Sequence, residues 1–433
     1  MKLAAAILIP LASLGAMVAR AQTPDHDHHV QNVVVIFQEN RTPDNLFQGL
    51  PGADIASTGL NSKGQQITLQ PEPLANNYDL NHAHAAFVAM YDHGNMDGAD
   101  KVKVTCHKGA NGCPPANPEF IYVNPSDVDP YFQLAQQYTF GDRMFQTNQG
   151  PSFPAHQFII SGTSAPTADS NLFAAENPAG VATALTDTGC TAPSKEFVKM
   201  IDPSGNESQK LYPCFDHPTL VDLLDGQGIS WRYYAPSAGS IWTGPNAIQH
   251  LRFGQDWNNV ILNPPQILND IANGQLANVT WVIPSGRSSD HPGSNDGSGP
   301  SWVASIVNAI GDSQYWDNTV IFITWDDWGG WYDHVAPTVI NSYEYGFRVP
   351  LIVVSPFAKQ SYVSHVTHDF GSILKFTEEV FHLDSLGYAD ALADDLSDCF
   401  DFHRHNRFHA IKAPHDAKYF LNDKRPPTDP DDD

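Results

Sequence analysis

Apolar residues in this chain gather into short continuous runs, and stretches of helical spacing separate the runs. Asn32-Val33-Val34-Val35-Ile36-Phe37 and Thr319-Val320-Ile321-Phe322-Ile323-Thr324 are the two strongest. A β-branched run without alternation has no solvent face, so both predict strands buried on two sides. Further continuous runs predict strands over Gln157–Ile160, Ile229–Tyr234, Val279–Ile283 and Pro350–Ser355, and helical spacing marks Pro218–Asp225, Ser301–Ile310 and Ser372–His382. Buried strands alternating with helices predict an α/β fold, a three-layer αβα arrangement on a mainly parallel central sheet. Gly-, Asn-, Ser- and Pro-rich stretches at 46–78, 101–130 and 161–215 read as long loop insertions.

The residues after the two strongest runs carry the chemistry. One run leads into Gln38-Glu39-Asn40-Arg41, the other into Trp325-Asp326-Asp327-Trp328-Gly329-Gly330-Trp331-Tyr332-Asp333-His334. In open α/β sheets ligands bind at the C-terminal ends of the strands. Glu39, Asn40, Asp326 and Asp327 therefore form an oxygen-rich set suited to one divalent metal ion. Such donors favour calcium, magnesium or manganese, and zinc also accepts carboxylates. A helix cap or a surface ion pair is the alternative for any one of these carboxylates.

Ser152 stands in Gly150-Pro151-Ser152-Phe153-Pro154-Ala155-His156, a stiff turn that could present its hydroxyl to a metal. Coordination would lower the hydroxyl pKa and make an attacking oxygen; a bond to the local backbone is the other use of such a serine. His82, His84, His291, His334 and His368 occupy polar loops, where an imidazole could hold a phosphoryl oxygen or protonate a leaving group. With 19 histidines in the chain, most must be structural or exposed. No Gly-x-Ser-x-Gly elbow, HExxH helix or nucleotide-binding Gly-rich loop is present, and Cys113-Pro114-Pro115-Ala116 lacks the arginine of a sulfatase motif.

Composition adds the compartment. Lys2, the apolar stretch Leu3–Val18 and Ala19-Arg20-Ala21 predict a signal peptide over 1–21, and hence export to the periplasm or the medium. Pro10, Gly15 and its short length argue against a membrane anchor, and no later segment is apolar for long enough to span a bilayer. No stable membrane insertion is expected after cleavage. The net charge of −25 argues against nucleic acid as a partner bound by bulk electrostatics. It leaves a phosphate substrate open, because the potential at a site is set locally by a metal and its neighbours.

Export permits disulfides, and short separations suggest Cys106 with Cys113 and Cys190 with Cys214, leaving Cys399 free. Residues 22–31, with Asp25-His26-Asp27-His28-His29, read as a flexible leader, 32–422 as one catalytic domain, and the Pro/Asp-rich 423–433 as a disordered acidic tail. Nothing in the pattern specifies an oligomeric state.

Several motifs together resemble the bacterial phosphoesterases that unite non-specific phospholipases C with an acid phosphatase branch. Glu39-Asn40-Arg41-Thr42-Pro43-Asp44-Asn45-Leu46-Phe47 is similar to that family's opening motif. Met96-Asp97-Gly98, Ser289-Asp290-His291-Pro292, Asp326–His334 and Phe347-Arg348-Val349-Pro350 follow in the family's order. The resemblance implies an alkaline-phosphatase-like core and a phosphoseryl or phosphothreonyl intermediate. It implies metal binding by Glu39, Asn40, Asp326 and Asp327, with Ser152 as both ligand and nucleophile. His82 and His291 would hold phosphoryl oxygens, one of them protonating the leaving alcohol, and Asp333 and His334 would support the ligands from behind.

The chain departs from the phospholipase pattern at Pro43, at Ala155-His156 and at Asp327-Trp328, and only about 50 residues follow Leu383. These departures favour a metal-dependent phosphomonoesterase of acid phosphatase type acting on a small phosphoester. The alternatives are a phospholipase C that takes a phospholipid head group, and a metal- or phosphate-binding protein without turnover. A phospholipase should carry an apolar rim, for which Phe87, Met90, Tyr91, Trp242 and Trp257 are the candidates.

Overall fold

The computed structural model describes residues 29–180 and 187–428. The expected signal peptide, the leader up to residue 28 and the tail from residue 429 lie outside the described residues. Eight strands form the central sheet: β1 (Asn32–Gln38), β2 (Thr139–Gly141), β3 (Trp231–Tyr234), β4 (Val260–Ile261), β5 (Val279–Val282), β6 (Thr319–Trp325), β7 (Leu351–Val354) and β8 (Tyr362–Ser364). Their order is β4-β3-β5-β1-β6-β7-β2-β8. Seven run in one direction, and only β7 is reversed, pairing antiparallel with β6 and β2.

β1 and β6, the two strongest apolar runs, lie side by side near the middle of the sheet, and every residue of both is buried. They are parallel, with Gln38 opposite Trp325, so the residues that follow them emerge together at one edge. Helices cover both faces. α1 (His84–Tyr91) belongs to the insertions; the covering helices are α2 (Asp129–Gln137), α3 (Ser152–Ser161), α4 (Leu220–Gly226), α5 (Gln266–Ala272), α6 (Gly299–Gly311), α7 (Phe370–Val380) and α8 (Ala417–Asn422). α2, α5 and α8 pack on α6, whereas α4 and α7 pack on α3. Phe37 and Phe322 meet Phe370 and Phe376 of α7 on one face, while Trp325 meets Tyr131 of α2 on the other. A strand enclosed this way has no position for a charged side chain until it ends, which is why its first carboxylates come at the edge.

Two readings of the sequence change. Gln157–Ile160, expected as a strand, is the second half of α3, which ends at Gly162 in the left-handed region (φ +70°). All ten residues of this helix are buried, so the apolar Phe158-Ile159-Ile160 near its end has no exposed polar face beside it, and such a short run cannot be told from a buried strand by periodicity. The described ends of the chain are also docked. His29 packs against Phe357 and Phe402, and Gln31 N donates to Asn318 O at 2.8 Å. In the tail, Thr428 N donates to Ser285 Oγ at 3.1 Å and Arg287 reaches Pro426 O at 2.7 Å. Backbone hydrogen bonding thus holds residues whose composition alone suggested disorder.

Disulfides join Cys106 to Cys113 and Cys190 to Cys214, and Cys399 is free and buried. Among the described residues no helix is long and apolar enough to cross a membrane.

Candidate active site

The chain turns sharply as it leaves β1. Asn40 adopts φ +63°, and the turn lets two backbone amides reach the neighbouring strand end: Asn40 N donates to Asp326 Oδ1 and Arg41 N to Asp327 O, both at 3.0 Å. The second strand end turns at Gly329 (φ +64°), whose N–H donates to Asp327 Oδ1 at 2.7 Å. A Cβ at Gly329 would sit 2.4 Å from Asn40 O, so the close approach of the two loops requires glycine there.

Glu39, Asp326 and His156 come together in this corner, each fully buried, with ligand atoms within 4.8 Å of one another. His156 Nε2 is 3.4 Å from Glu39 Oε1. Asn40 Oδ1 and Asp326 Oδ2 are buried with no hydrogen-bond partner among the described residues. Adjacent buried carboxylates cost several kcal/mol each unless a cation compensates them. These donors fit a divalent metal, which Glu39, Asp326 and Asn40 would hold through oxygen.

Ser152 is the first residue of α3, so its hydroxyl sits at the positive end of a helix dipole. The loop before it is braced internally: Gln146 Nε2 donates to Asn148 O and Gly150 O, and Asn148 Nδ2 donates to Gly150 O. Trp328 N donates to Gln146 Oε1 at 2.9 Å, tying this loop to the Asp327 loop. The serine hydroxyl donates to Asp327 Oδ2 at 3.4 Å, and His82 Nε2 stands 3.9 Å from the same oxygen.

His82 and His291 are neighbours, with ring centroids 6.0 Å apart. Nδ1 of His82 lies 2.8 Å from Leu80 O, and Nδ1 of His291 lies 2.8 Å from Pro292 O. A carbonyl only accepts, so each Nδ1 carries the proton and Nε2 faces the site. Asn40 Nδ2, 3.0 Å from His82 Nε2, donates to it, and this orients the amide. Asp290 anchors the His291 loop: Tyr131 Oη donates to its carboxylate at 2.8 Å and Trp325 Nε1 at 3.0 Å. Burial pushes the Asp290 carboxyl up to about 6 against the pull of the Arg41 charge.

Asp333 and His334 lie elsewhere. Both oxygens of Asp333 accept from Arg348, at 2.8 and 3.0 Å, and His334 contacts Asp44 at 2.8 Å and Asp54 at 3.1 Å. They form a buried ion-pair cluster with Asp44 and Arg348, and so brace the loop rather than the metal donors themselves. His84 pairs with Glu207 and His368 with Asp394. Phe87, Met90 and Trp242, three of the five residues proposed for an apolar rim, are buried in the interior. Trp328 is fully buried too, its ring against His82 and Phe347. His156 is the residue that sequence reasoning missed. In the sequence it stands only as a departure from the phospholipase pattern, although its position four residues after Ser152 places both on one face of a helix.

The profile of the phosphoesterase family matches residues 30–384, and the chain belongs to that family. Among its relatives, the hemolytic phospholipase C of Pseudomonas aeruginosa is 24% identical over 86% of this chain and 56% of that protein. The non-hemolytic phospholipase C of the same organism is 23% identical over 92% of this chain and 63% of that protein. The chain thus spans less than two thirds of the length of these two relatives. Among solved structures, a protein in the alkaline phosphatase superfamily from Vibrio parahaemolyticus aligns over 84% of this chain and 70% of that one, at 12% identity and a TM-score of 0.38.

Proposed function

We propose that this protein is an exported, metal-dependent phosphoester hydrolase that acts through a phosphoserine intermediate on small phosphomonoesters. The observation that carries this is the convergence of three elements. The ends of β1 and β6 bring buried carboxylates together, and the start of α3 brings a hydroxyl to 3.4 Å from Asp327. Family membership and the phospholipase C relatives support phosphoester chemistry.

Ser152 Oγ attacks phosphorus in line as its proton passes to the Asp327 carboxylate, and the bond from phosphorus to the leaving oxygen breaks. His291, entering the cycle with a proton on Nε2 as well as on Nδ1, gives the Nε2 proton to the leaving alkoxide, since His82 Nε2 is already occupied as the acceptor of Asn40 Nδ2. Water then attacks the phosphoserine and returns a proton to the histidine as the bond from phosphorus to Ser152 Oγ breaks; inorganic phosphate leaves, and Oγ takes its proton back from Asp327. A bound divalent cation would lower the serine pKa and offset charge on the phosphoryl oxygens.

Two features favour a phosphomonoester over a choline phospholipid. The expected apolar rim is largely packed inside. A cavity of about 360 Å³ is bordered by Asn81 and Pro151, the direct neighbours of His82 and Ser152, and its wall carries Lys199 and Lys210 against one carboxylate, Glu176, and one aromatic ring, Phe197. A quaternary ammonium is held by an aromatic cage, whereas lysines suit an anion.

The test is hydrolysis of p-nitrophenyl phosphate beside p-nitrophenyl phosphorylcholine, with and without chelator. The expected result is chelator-sensitive turnover with preference for the monoester. Ser152→Ala should lower kcat by about 10⁴-fold or more with an unchanged circular dichroism spectrum. Preference for the choline ester would refute the substrate class, and substantial activity in Ser152→Ala would refute the nucleophile.

A further inference from the structure

We propose that His156 is a nitrogen ligand of the metal, so that the centre is a mixed nitrogen and oxygen site rather than an all-oxygen one. The proposal rests on the metal-dependent reading above and adds to it a residue and a metal class.

Spacing is the first argument. His156 Nε2 lies 3.4 Å from Glu39 Oε1. Two ligands each about 2.1 Å from a tetrahedral ion stand about 3.4 Å apart, whereas a charge-assisted hydrogen bond between imidazolium and carboxylate closes to about 2.8 Å. The observed separation is that of co-ligands. Asp326 completes the group within 4.8 Å, and its Oδ2 has no hydrogen-bond partner among the described residues.

The far side of the ring supplies the second argument. His156 Nδ1 is 3.4 Å from Tyr233 Oη. That hydroxyl already donates to Trp242 O at 2.8 Å and accepts from Gly244 N at 3.3 Å, so towards His156 it can only accept. Nδ1 therefore carries a proton, and on a neutral ring Nε2 directs its lone pair at two carboxylates, since an imidazolium Nε2–H would close the 3.4 Å separation to about 2.8 Å. Such an arrangement is repulsive unless a cation lies between them. Ligating histidines characteristically donate their other N–H to a fixed acceptor, and Tyr233 is that acceptor. The ring is also held between Trp242, at 6.5 Å, and Phe37, at 6.3 Å between centroids.

The third argument is placement. Ser152 and His156 lie one turn apart on α3, so one rigid element delivers both nucleophile and nitrogen ligand. Adding imidazole moves the preference of the site away from calcium, magnesium and manganese towards zinc, iron or nickel.

The experiment uses the whole chain as wild type, His156→Gln, His156→Asn, His82→Asn and Glu39→Gln. Zinc affinity is measured by chelator competition, and pulsed electron paramagnetic resonance of the Mn²⁺-loaded protein detects an imidazole nitrogen coupled to the metal. The expected wild-type spectrum shows nitrogen coupling that survives His82→Asn and disappears in His156→Gln and His156→Asn. Zinc affinity should fall at least tenfold in both His156 variants, with calcium affinity changed less. Metal-loaded wild-type protein without nitrogen coupling would overturn the proposal without recourse to a variant that fails to fold. So would a His156 variant that keeps both the coupling and the wild-type zinc affinity; in either case metal bound and lost in Glu39→Gln would leave the metal-dependent reading standing. Wild-type protein that retains no metal would overturn both.

Discussion

Replacing Gly329 by alanine tests whether the close approach of the two strand-end loops sets the geometry of the site. Gly329 has φ +64°, and an added Cβ would sit 2.4 Å from Asn40 O and 2.7 Å from Asn40 Cβ. An ordinary carbon–oxygen contact is about 3.4 Å, so the loops must separate by roughly 1 Å. The left-handed backbone costs an L-residue about 1 kcal/mol, and opening the contact should bring the total to about 2–4 kcal/mol. Both loops carry metal donors, and a 1 Å misplacement of catalytic groups costs about 10²-fold in rate. The assay is kcat on p-nitrophenyl phosphate at saturating metal, alongside thermal unfolding. Gly64→Ala is the control: φ is +70° there, but nothing lies within 4 Å of the added Cβ. It should lose only the backbone contribution and keep kcat. If Gly329→Ala keeps kcat within threefold of wild type, the contact does not position Asp327 and Asn40 and the reasoning fails.

Other expectations follow from the ion-pair cluster and the disulfides. Arg348→Met should cost about 3–5 kcal/mol in urea unfolding, because Asp333 and Asp44 would remain buried without their partner. His334 has its pKa raised to about 9: burial pushes it down, but the hydrogen bond and charge of Asp44 outweigh that. Its folded value lies above the ordinary 6.5, so its contribution is fully present below pH 6.5 and is lost as pH rises through about 9. The unfolding free energy read from urea titrations should therefore fall between pH 6.5 and 9, by less than about 3 kcal/mol from this group because solvent screens its exposed part, and His334→Gln should flatten that slope. Opening the Cys190–Cys214 disulfide, which closes a loop with a sequence separation of 24, should cost about 3 kcal/mol, read as a drop in Tm of the Cys190→Ser, Cys214→Ser double variant.

The candidate site was partly legible in the chain. Glu39, Asn40, Asp326 and Asp327 stood out because each pair follows a buried apolar strand at the sheet edge, where carboxylates that stay buried call for a compensating cation. Ser152 stood out through the prolines around it. His156 did not, because its helix is buried on every side and reads as a strand. Asp333 and His334 are close to Asp327 in sequence, but the left-handed turn at Gly329 and Gly330 precedes them and their side chains meet Arg348.

What the sequence determined by itself was local: which runs have no solvent face, where they stop, and which residue types stand at the stops. Those follow from burial and backbone preference within a few residues. Only the tertiary structure decided that β1 and β6 are neighbours, parallel and in the register that sets Gln38 beside Trp325. Residues 39–318, about two thirds of the chain, separate these strands, and nothing local encodes their pairing. It comes from packing two faces of helices onto one sheet, and that packing turns two strand ends and a helix start into one site.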